Sequence, residues 1–227
     1  MEYVEIARAE SERGELVLRE RREEGAPSSL ELRANGVFVM DTVETSTERA
    51  LATAALELVD EPRAVVVGGL GLGYTMHEVL ADSRVEKCAV VEIEQALVDW
   101  MRDGTVPHGP SLLADERVVV VVADVANALA EARPSTYDLV LLDVDNGPGY
   151  LVHDANASLY TEEFLTHARD ALRPGGLLVI WSADAAPELE ASMRGVFGAA
   201  EARPHDVLLQ DREEHYWLYL ARVASGA

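Results

Sequence analysis

Hydrophobic positions follow two different patterns along the chain, and the change falls near Thr45. Upstream of it, short segments alternate apolar with polar residues and are separated by turns rich in glycine, proline and asparagine. Such segments are typical of antiparallel hairpins. They predict four short strands, at residues 3–6, 15–19, 30–33 and 37–40.

Downstream of Thr45, near-continuous valine and leucine runs alternate with stretches of helical periodicity. Runs without polar alternation are typical of parallel strands that helices cover on both faces. Strands are expected at 64–67, 87–91, 118–122, 137–142 and 177–181, with a closing hairpin at 207–209 and 216–221. Helices are expected at 50–59, 74–81, 95–102, 125–132, 161–172 and 187–197.

These patterns predict an α/β fold in two domains. Residues 1–44 form a small N-terminal antiparallel β-hairpin unit, and residues 45–227 form a Rossmann-like domain. Four short strands bury little apolar surface by themselves. The hairpin unit must therefore pack on the larger domain or pair between subunits, and its open edges favour a homodimer through the hairpins.

Composition narrows the classes of partner. The chain has 19 Lys and Arg residues against 41 Asp and Glu residues, a net charge of −22. This charge repels phosphates and anionic lipids, which argues against nucleic-acid and membrane binding. No apolar run reaches the roughly 20 residues of a membrane span, and the first residues do not resemble a signal peptide. We expect a cytoplasmic protein.

Several kinds of chemistry are disfavoured. Cys88 is the single cysteine, which excludes an internal disulfide. The six histidines show no metal-ligand spacing, so no metal is expected. The sequence also lacks the phosphate loop of one class of triphosphatase and the nucleophile elbow of α/β-hydrolases.

In an open parallel sheet, ligands bind beyond the carboxyl ends of the strands. The first of these strands runs into a glycine-rich loop, residues 68–73, and then into a helix. Gly69, Gly71 and Gly73 allow the backbone to turn sharply and to approach a ligand in front of the helix N-terminus. A tight turn without a ligand is the alternative that glycines alone leave open.

The next two strands each end in a carboxylate. Glu92, about 20 residues past the glycine loop, is placed to accept hydrogen bonds from both hydroxyls of a ribose. Asp124 either accepts from the amino group of an adenine or caps the following helix, and the two roles are compatible. The adjacent Ile93 and Val125 are expected to flank the same nucleotide.

The fourth strand delivers a dense polar cluster, in which Asp143, Asp145 and Asn146 precede Gly147. A carboxylate here can deprotonate or orient a nucleophile, or stabilise a sulfonium. The alternative is a turn whose Asp and Asn side chains bond local backbone. Asp143 is the favoured catalytic residue because it directly follows the strand, Asp145 is the second candidate, and Asn146 is expected to contact substrate.

Residues 150–156 form a loop that can close over the site. Tyr150, His153 and Tyr160 are expected to contact the substrate. The neighbours His153 and Asp154 suggest a catalytic pair, but adjacent side chains need not face one another. Substrate contact or simple surface exposure of His153 is therefore favoured.

Taken together, the strand ends resemble those of a known family. The succession VVVGGLGLG, VVEIE, VVADV and YDLVLLDVDNGP resembles the class I S-adenosylmethionine-dependent fold. With SLYTEEFLTHARDALRPGG, its most specific part, the chain resembles the spermidine/spermine synthase (polyamine aminopropyltransferase) superfamily. The likeness extends to NGVFVMDTVETSTERA and the N-terminal hairpins.

This resemblance implies a seven-stranded methyltransferase sheet with a reversed last strand. The cofactor would be S-adenosylmethionine or its decarboxylated form. By analogy, the three glycines line the nucleotide loop, Glu92 holds the ribose, Asp124 holds the adenine and Asp143 faces the reacting centre.

The substrate half departs from the family. Leu72 stands where aminopropyltransferases usually carry an aspartate for the aminopropyl ammonium, and leucine supplies no charge-assisted hydrogen bond. Thr45 replaces a nucleotide-contacting glutamine, and residues 54–55, both alanine, replace a Tyr-His pair. In the Asp-x-x-Asp-Pro motif, the second aspartate is shifted or replaced by Asn146.

Methyl transfer from S-adenosylmethionine to a small-molecule acceptor is therefore the leading hypothesis. Catalysis would depend on proximity and orientation, with Asp143 or Asp145 orienting or deprotonating the nucleophile. One alternative is a polyamine aminopropyltransferase with a rearranged polyamine site. Another is a non-catalytic nucleotide-binding protein on the same fold.

Overall fold

The computed structural model describes residues 1–144, 147–149, 151, 153–209 and 212–225. The side chains of 207–209 and 212–214 are outside this description. The described residues form one sheet of four strands and one of seven. None of the described helices is long and apolar enough to cross a membrane.

The first sheet is antiparallel and runs in chain order. Its strands are β1 (Glu2–Ser11), β2 (Gly14–Arg22), β3 (Ser29–Ala34) and β4 (Val37–Asp41). Asn35 and Gly36 connect β3 to β4 with φ angles of 52° and 76°, the left-handed pair that suits a two-residue hairpin turn. All four predicted strands are present and are longer than expected, because their polar residues continue the pairing.

The second sheet is the larger one, with the order β10-β11-β9-β8-β5-β6-β7. Its strands are β5 (Ala64–Gly68), β6 (Lys87–Glu92), β7 (Val118–Val122), β8 (Tyr137–Leu142), β9 (Leu172–Ser182), β10 (Glu201–Leu209) and β11 (Arg212–Arg222). Strands β5 to β9 are parallel, whereas β11 pairs antiparallel with both β9 and β10. This confirms the α/β Rossmann-like sheet with a reversed last strand.

Helices follow the strands of the larger sheet. They are α1 (Ser46–Leu56), α2 (Tyr74–Ala81), α3 (Gln95–Asp103), α4 (Gly109–Leu113), α5 (Val125–Ala130), α6 (Glu162–Ala171) and α7 (Pro187–Phe197). A 3₁₀ helix spans Asp154–Tyr160. The predictions missed α4 and the 3₁₀ helix, since each is too short to show a helical period.

Two apolar clusters flank the larger sheet. One is lined by residues of α1, α2 and α3, and the other by residues of α5, α6 and α7. The first cluster also contains Leu18 and Leu32 of the small sheet, both fully or almost fully buried. The small sheet therefore packs on the larger unit, which is one of the two arrangements that its size required. Ile6 and Phe38 remain exposed on it, and the homodimer stays a prediction.

Truncation of Leu18 tests this packing. Leu18→Ala removes a side chain with no exposed surface, so we expect a loss of about 2–4 kcal/mol in the free energy of unfolding. Ile6→Ala, on the same sheet but 41% exposed, is the matched control and should change it by about 0.5 kcal/mol. Urea unfolding monitored by circular dichroism measures both. Equal losses would contradict the packing.

Candidate active site

A cavity of about 640 Å³ lies beyond the carboxyl ends of the parallel strands. Its floor is formed by the ends of β5, β6, β7 and β8, and β9 contributes Trp181 at one side. Residues of the small sheet, from Leu16 to Asp41, form its roof. The cavity is thus shared by both sheets, and its walls include residues that strand-end reasoning had not considered.

The glycine loop passes directly against other parts of the wall. Gly69 has φ 91°, and a Cβ atom there would lie 2.2 Å from the carbonyl oxygen of Asp143. A Cβ on Gly71 would lie 2.7 Å from Sδ of Met40, a residue of the roof. Both glycines line the cavity, and no larger residue fits at Gly69 without moving backbone.

The end of the loop faces the core instead. Gly73 precedes α2, and a Cβ there would meet Met101 and Leu112 of the apolar cluster. Leu72 is fully buried in that cluster, its N–H donates to Sδ of Met40 at 3.2 Å, and its carbonyl accepts from Nε2 of His108 at 2.6 Å. The geometry therefore gives no support to a ligand contact at Gly73, and Leu72 has no side chain in the cavity.

Glu92 is buried at the end of β6 and fixes the glycine loop. Its Oε2 accepts from the N–H of Leu70 at 2.9 Å, and its Oε1 accepts from the N–H of Glu94 at 2.8 Å. Burial raises the pKa of Glu92, although these backbone donors oppose the shift. Glu92 and the adjacent Ile93 line the cavity, and the carboxylate retains lone pairs for a ligand. Ribose binding by Glu92 stays a prediction.

Asp124 lies at the end of β7 and caps helix α5. Its Oδ1 accepts from the N–H of Ala126 at 2.8 Å, the pairing that a helix N-cap makes. Asp124 and Val125 both line the cavity. One of the two predicted roles of Asp124 is thus present in the structure, and the adenine contact stays a prediction.

Asp143 stands at the end of β8, next to the glycine loop. Its N–H donates to the carbonyl of Gly68 at 2.9 Å, and its Oδ2 accepts from the hydroxyl of Thr75 at 3.0 Å. Burial raises the pKa of Asp143 to about 6, while the Thr75 hydrogen bond opposes that rise. The favoured candidate is therefore a partly buried carboxyl group with a raised pKa, as is common at functional sites.

Glu48 supplies a second carboxylate, which the sequence interpretation missed. It belongs to the first turn of α1 and lines the same cavity. Its Oε2 accepts from the hydroxyl of Thr47 at 2.8 Å, and its carbonyl oxygen lies 3.3 Å from Oγ1 of Thr75. Burial, followed by the charge of Asp143, raises the pKa of Glu48 to about 7. An acidic residue early in a helix is expected for the dipole alone, so the sequence carried no sign of this contact.

Of the remaining residues predicted to contact substrate, one lines the cavity, one does not, and the others lie outside the described residues. His153 lines the cavity, and its Nε2 donates to the carbonyl of Arg13. Tyr160 ends the 3₁₀ helix, packs against the second apolar cluster and is not among the described residues that line the cavity. Asp145, Asn146 and Tyr150 lie outside the described residues.

The tip of the β1–β2 hairpin closes one edge of the cavity. The hydroxyl of Ser11 donates to Oε1 of Glu94 at 3.2 Å, and Nε of Arg13 lies 3.7 Å from the same oxygen. The guanidinium of Arg13 also donates to Oδ1 of Asn156 at 3.0 Å. The hairpin tip thus joins the β6 end to the segment that follows β8. These contacts span distant parts of the chain and were not predicted.

The cavity wall is acidic with an aromatic side. The ring centroids of Trp181 and Tyr216 lie 5.2 Å apart, and both residues line the cavity. Two arginines, Arg13 and Arg21, are among the described lining residues. The described acidic lining residues are Glu15, Glu31, Asp41, Glu44, Glu48, Glu92, Glu94, Asp124 and Asp143. Such a wall favours a cationic ligand with an apolar stem.

The sequence of the chain is similar to sequences of known proteins. Residues 44–194 match the profile of the Spermine/spermidine synthase domain. The chain is 32% identical over 141 residues to polyamine aminopropyltransferase 2 of Pseudomonas aeruginosa, covering 60% of this chain and 38% of that protein. It is 30% identical over 122 residues to putrescine N-methyltransferase 3 of Nicotiana tabacum, covering 53% of this chain and 30% of that protein.

The chain spans less than half the length of these curated relatives. Among solved structures, spermidine synthase from Thermotoga maritima superposes with a TM-score of 0.81 at 19% identity. That superposition covers 98% of this chain and 74% of the other. At such identity the likeness concerns the fold.

The raised pKa of Glu48 generates a prediction about stability. Between its ordinary value of 4.5 and about 7, the folded state keeps a proton that the unfolded state releases. The free energy of unfolding therefore falls as pH rises through this window. Glu48→Gln removes the penalty, and we expect a gain on the order of 2–3 kcal/mol at pH 8 and almost none at pH 4.

Urea unfolding at the two pH values measures this difference. Glu57→Gln, an exposed position at the other end of α1, is the control and should show no pH-dependent gain. An equal gain for Glu48→Gln at both pH values would show that its carboxyl group carries no such penalty.

Proposed function

The chain belongs to the spermine/spermidine synthase family, and from this premise we propose that it transfers an alkyl group from an adenosyl sulfonium donor to a nitrogen of a small amine. The observation that carries the proposal is the position of Asp143. The residue lines the cavity and lies against the glycine loop, and burial raises the pKa of its carboxyl group to about 6.

The residues around the glycine loop fit an adenosyl sulfonium donor. Gly69 and Gly71 both line the cavity, so a ligand there meets the backbone of the glycine loop. In this proposal Glu92 binds the ribose hydroxyls and Asp124 binds the adenine amino group. The donor supplies a carbon activated by the positive sulfur. In this proposal, these residues bind and orient that donor.

The character of the cavity supports an amine as the acceptor. A protonated amine is attracted by carboxylates, and its alkyl stem packs against aromatic rings such as Trp181 and Tyr216. A hydroxyl or carboxylate acceptor would draw no benefit from this charge, and a carboxylate would be repelled.

Asp143 performs the proton transfer in this proposal. An amine is nucleophilic only when neutral, and a carboxylate with a pKa of about 6 accepts its proton near neutral pH. As the N–C bond forms, the C–S bond breaks and its electron pair stays on sulfur as a thioether. The hydroxyl of Thr75, at 3.0 Å, holds the Asp143 carboxylate in place.

Aminopropyl transfer from decarboxylated S-adenosylmethionine is the first candidate. Relatives named polyamine aminopropyltransferase support it, including those of Pseudomonas aeruginosa and Aeropyrum pernix. Methyl transfer from S-adenosylmethionine, the leading hypothesis from sequence, becomes the second candidate. It is supported by the putrescine N-methyltransferases among the relatives and by the apolar Leu72 in the glycine loop.

Product mass distinguishes the two candidates. The purified chain is incubated with putrescine and either decarboxylated S-adenosylmethionine or S-adenosylmethionine. We expect spermidine and 5′-methylthioadenosine from the first mixture, because the family match favours aminopropyl transfer. N-methylputrescine from the second mixture alone would select methyl transfer. No product from either donor, with putrescine or with longer polyamines, would contradict amine alkylation.

Substitution of Asp143 tests the proton acceptor. Asp143→Asn retains shape and removes the base, so kcat/KM should fall by about 10²- to 10⁴-fold. Binding of 5′-methylthioadenosine, measured by calorimetry, should persist. Asp154→Asn, exposed and beside His153, is the control and should retain activity. An Asp143→Asn enzyme of normal rate would remove Asp143 from the mechanism.

A further inference from the structure

Glu48 has no assigned partner in the mechanism above, and its surroundings are unusual for a glutamate. The residue is half-buried in a cavity wall that also carries Asp143 and Glu44. The charges of both these neighbours act against ionisation of Glu48. A carboxylate placed among others in this way is ionised at low cost only when a cation stands beside it.

The arginine next to Glu48 in the sequence already forms an ion pair with another residue. Arg49, the next residue of α1, pairs with Glu78 and lies within 3.2 Å of Nδ1 of His77. Its guanidinium also lies over the ring of Tyr74, 5.0 Å from the centroid. Within the described part of the chain, no lysine or arginine forms an ion pair with Glu48. A cationic ligand is therefore the remaining source of positive charge for the carboxylate of Glu48.

Within the described residues, the hydrogen bonds of the Glu48 side chain all come from its own helix turn. Glu48 accepts from the hydroxyl of Thr47 and from its own backbone N–H. By contrast, Glu92 is fixed by the N–H groups of Leu70 and Glu94, and it carries the structure of the glycine loop. Glu48 has no comparable structural task, and its acceptor capacity remains directed to the cavity.

We propose that Glu48 is a specificity-determining residue that binds a primary ammonium group next to the reacting centre. This inference rests on the proposed function. A primary ammonium has three N–H donors and no acceptor, so it complements a carboxylate that lies near a second carboxylate. Because Glu48 binds the ammonium group, Asp143 stays available for proton transfer. Glu48 also selects ligands with a charged amine over neutral ones.

The position of Leu72 strengthens the argument. Its side chain is buried in the core, so the glycine loop offers backbone but no charge to this part of the cavity. Helix α1 approaches the same place from the opposite side, since the carbonyl of Glu48 and the carboxylate of Asp143 both lie near the hydroxyl of Thr75. Glu48, Asp143 and the glycine loop line the same cavity, and the two carboxyl groups are close enough for the charge of Asp143 to act on Glu48.

Two sources can supply this ammonium group. One is the aminopropyl arm of decarboxylated S-adenosylmethionine, and the other is the second amine of a diamine acceptor. Binding of the donor alone and the KM for putrescine separate them. 5′-Methylthioadenosine shares the nucleoside and lacks the ammonium, so it reports on the nucleoside site alone.

The experiment compares the wild-type chain with Glu48→Gln and with Glu57→Gln. Calorimetry measures the affinity for decarboxylated S-adenosylmethionine and for 5′-methylthioadenosine, and steady-state kinetics measures the KM for putrescine. In Glu48→Gln, we expect a loss of about 10- to 100-fold in donor affinity, or an equal rise in KM for putrescine. Affinity for 5′-methylthioadenosine should stay unchanged in both variants, and Glu57→Gln should match the wild type throughout.

Unchanged donor affinity together with an unchanged KM in Glu48→Gln would overturn the proposal. So would an equal loss of affinity for 5′-methylthioadenosine, since that loss would place Glu48 in the nucleoside site. Failure of the wild-type chain to bind any of these nucleosides would contradict the proposed function instead. If Glu48→Gln does not fold, Glu48→Ala is measured in its place with the same expectations.

Discussion

The candidate site depends on the close approach of two adjacent central strands, β5 and β8. Where they end, the backbone of Gly69 runs so close to the carbonyl of Asp143 that a Cβ atom would lie 2.2 Å from the oxygen. The N–H of Asp143 donates to Gly68, and the N–H of Gly69 donates to Val91 of β6. Three strand ends are therefore tied together by backbone. This places a carboxylate and a glycine loop side by side without a side chain between them.

Much of the fold was predictable from the chain because the central strands of the larger sheet, such as β5 and β8, are buried and therefore apolar. The run 118–122 is all valine, and 137–142 contains Asp138 as its single charged residue; the bounds of both strands match the prediction. Helices α2 and α7 were also predicted with their bounds, since each lies between clear turn signals. The extents of β9 and β10 were underestimated. In β9 the pairing passes through an irregularity before Leu177, and in β10 Arg203 continues the ladder without an apolar pattern.

The site was predictable mainly where a residue ends or directly follows a strand. Glu92, Asp124 and Asp143 all line the cavity, because parallel strands present their ends at one edge. Glu48 and Met40 reach the same cavity from a helix and from a separate sheet. Their contacts depend on how these elements dock, and no local pattern encodes that.

The two ends of the cavity roof are held by different forces. Near β4, the roof is anchored by buried apolar side chains such as Leu32 and Met40, which salt does not weaken. At the hairpin tip it is held by Arg13, Glu94 and Asn156, through polar contacts that are individually weak and partly exposed. The small sheet is thus held by apolar burial along one side and by polar contacts at the hairpin tip. Because salt screens charges and leaves apolar burial intact, a rise in ionic strength weakens the contacts of the hairpin tip before it affects the buried side of the sheet.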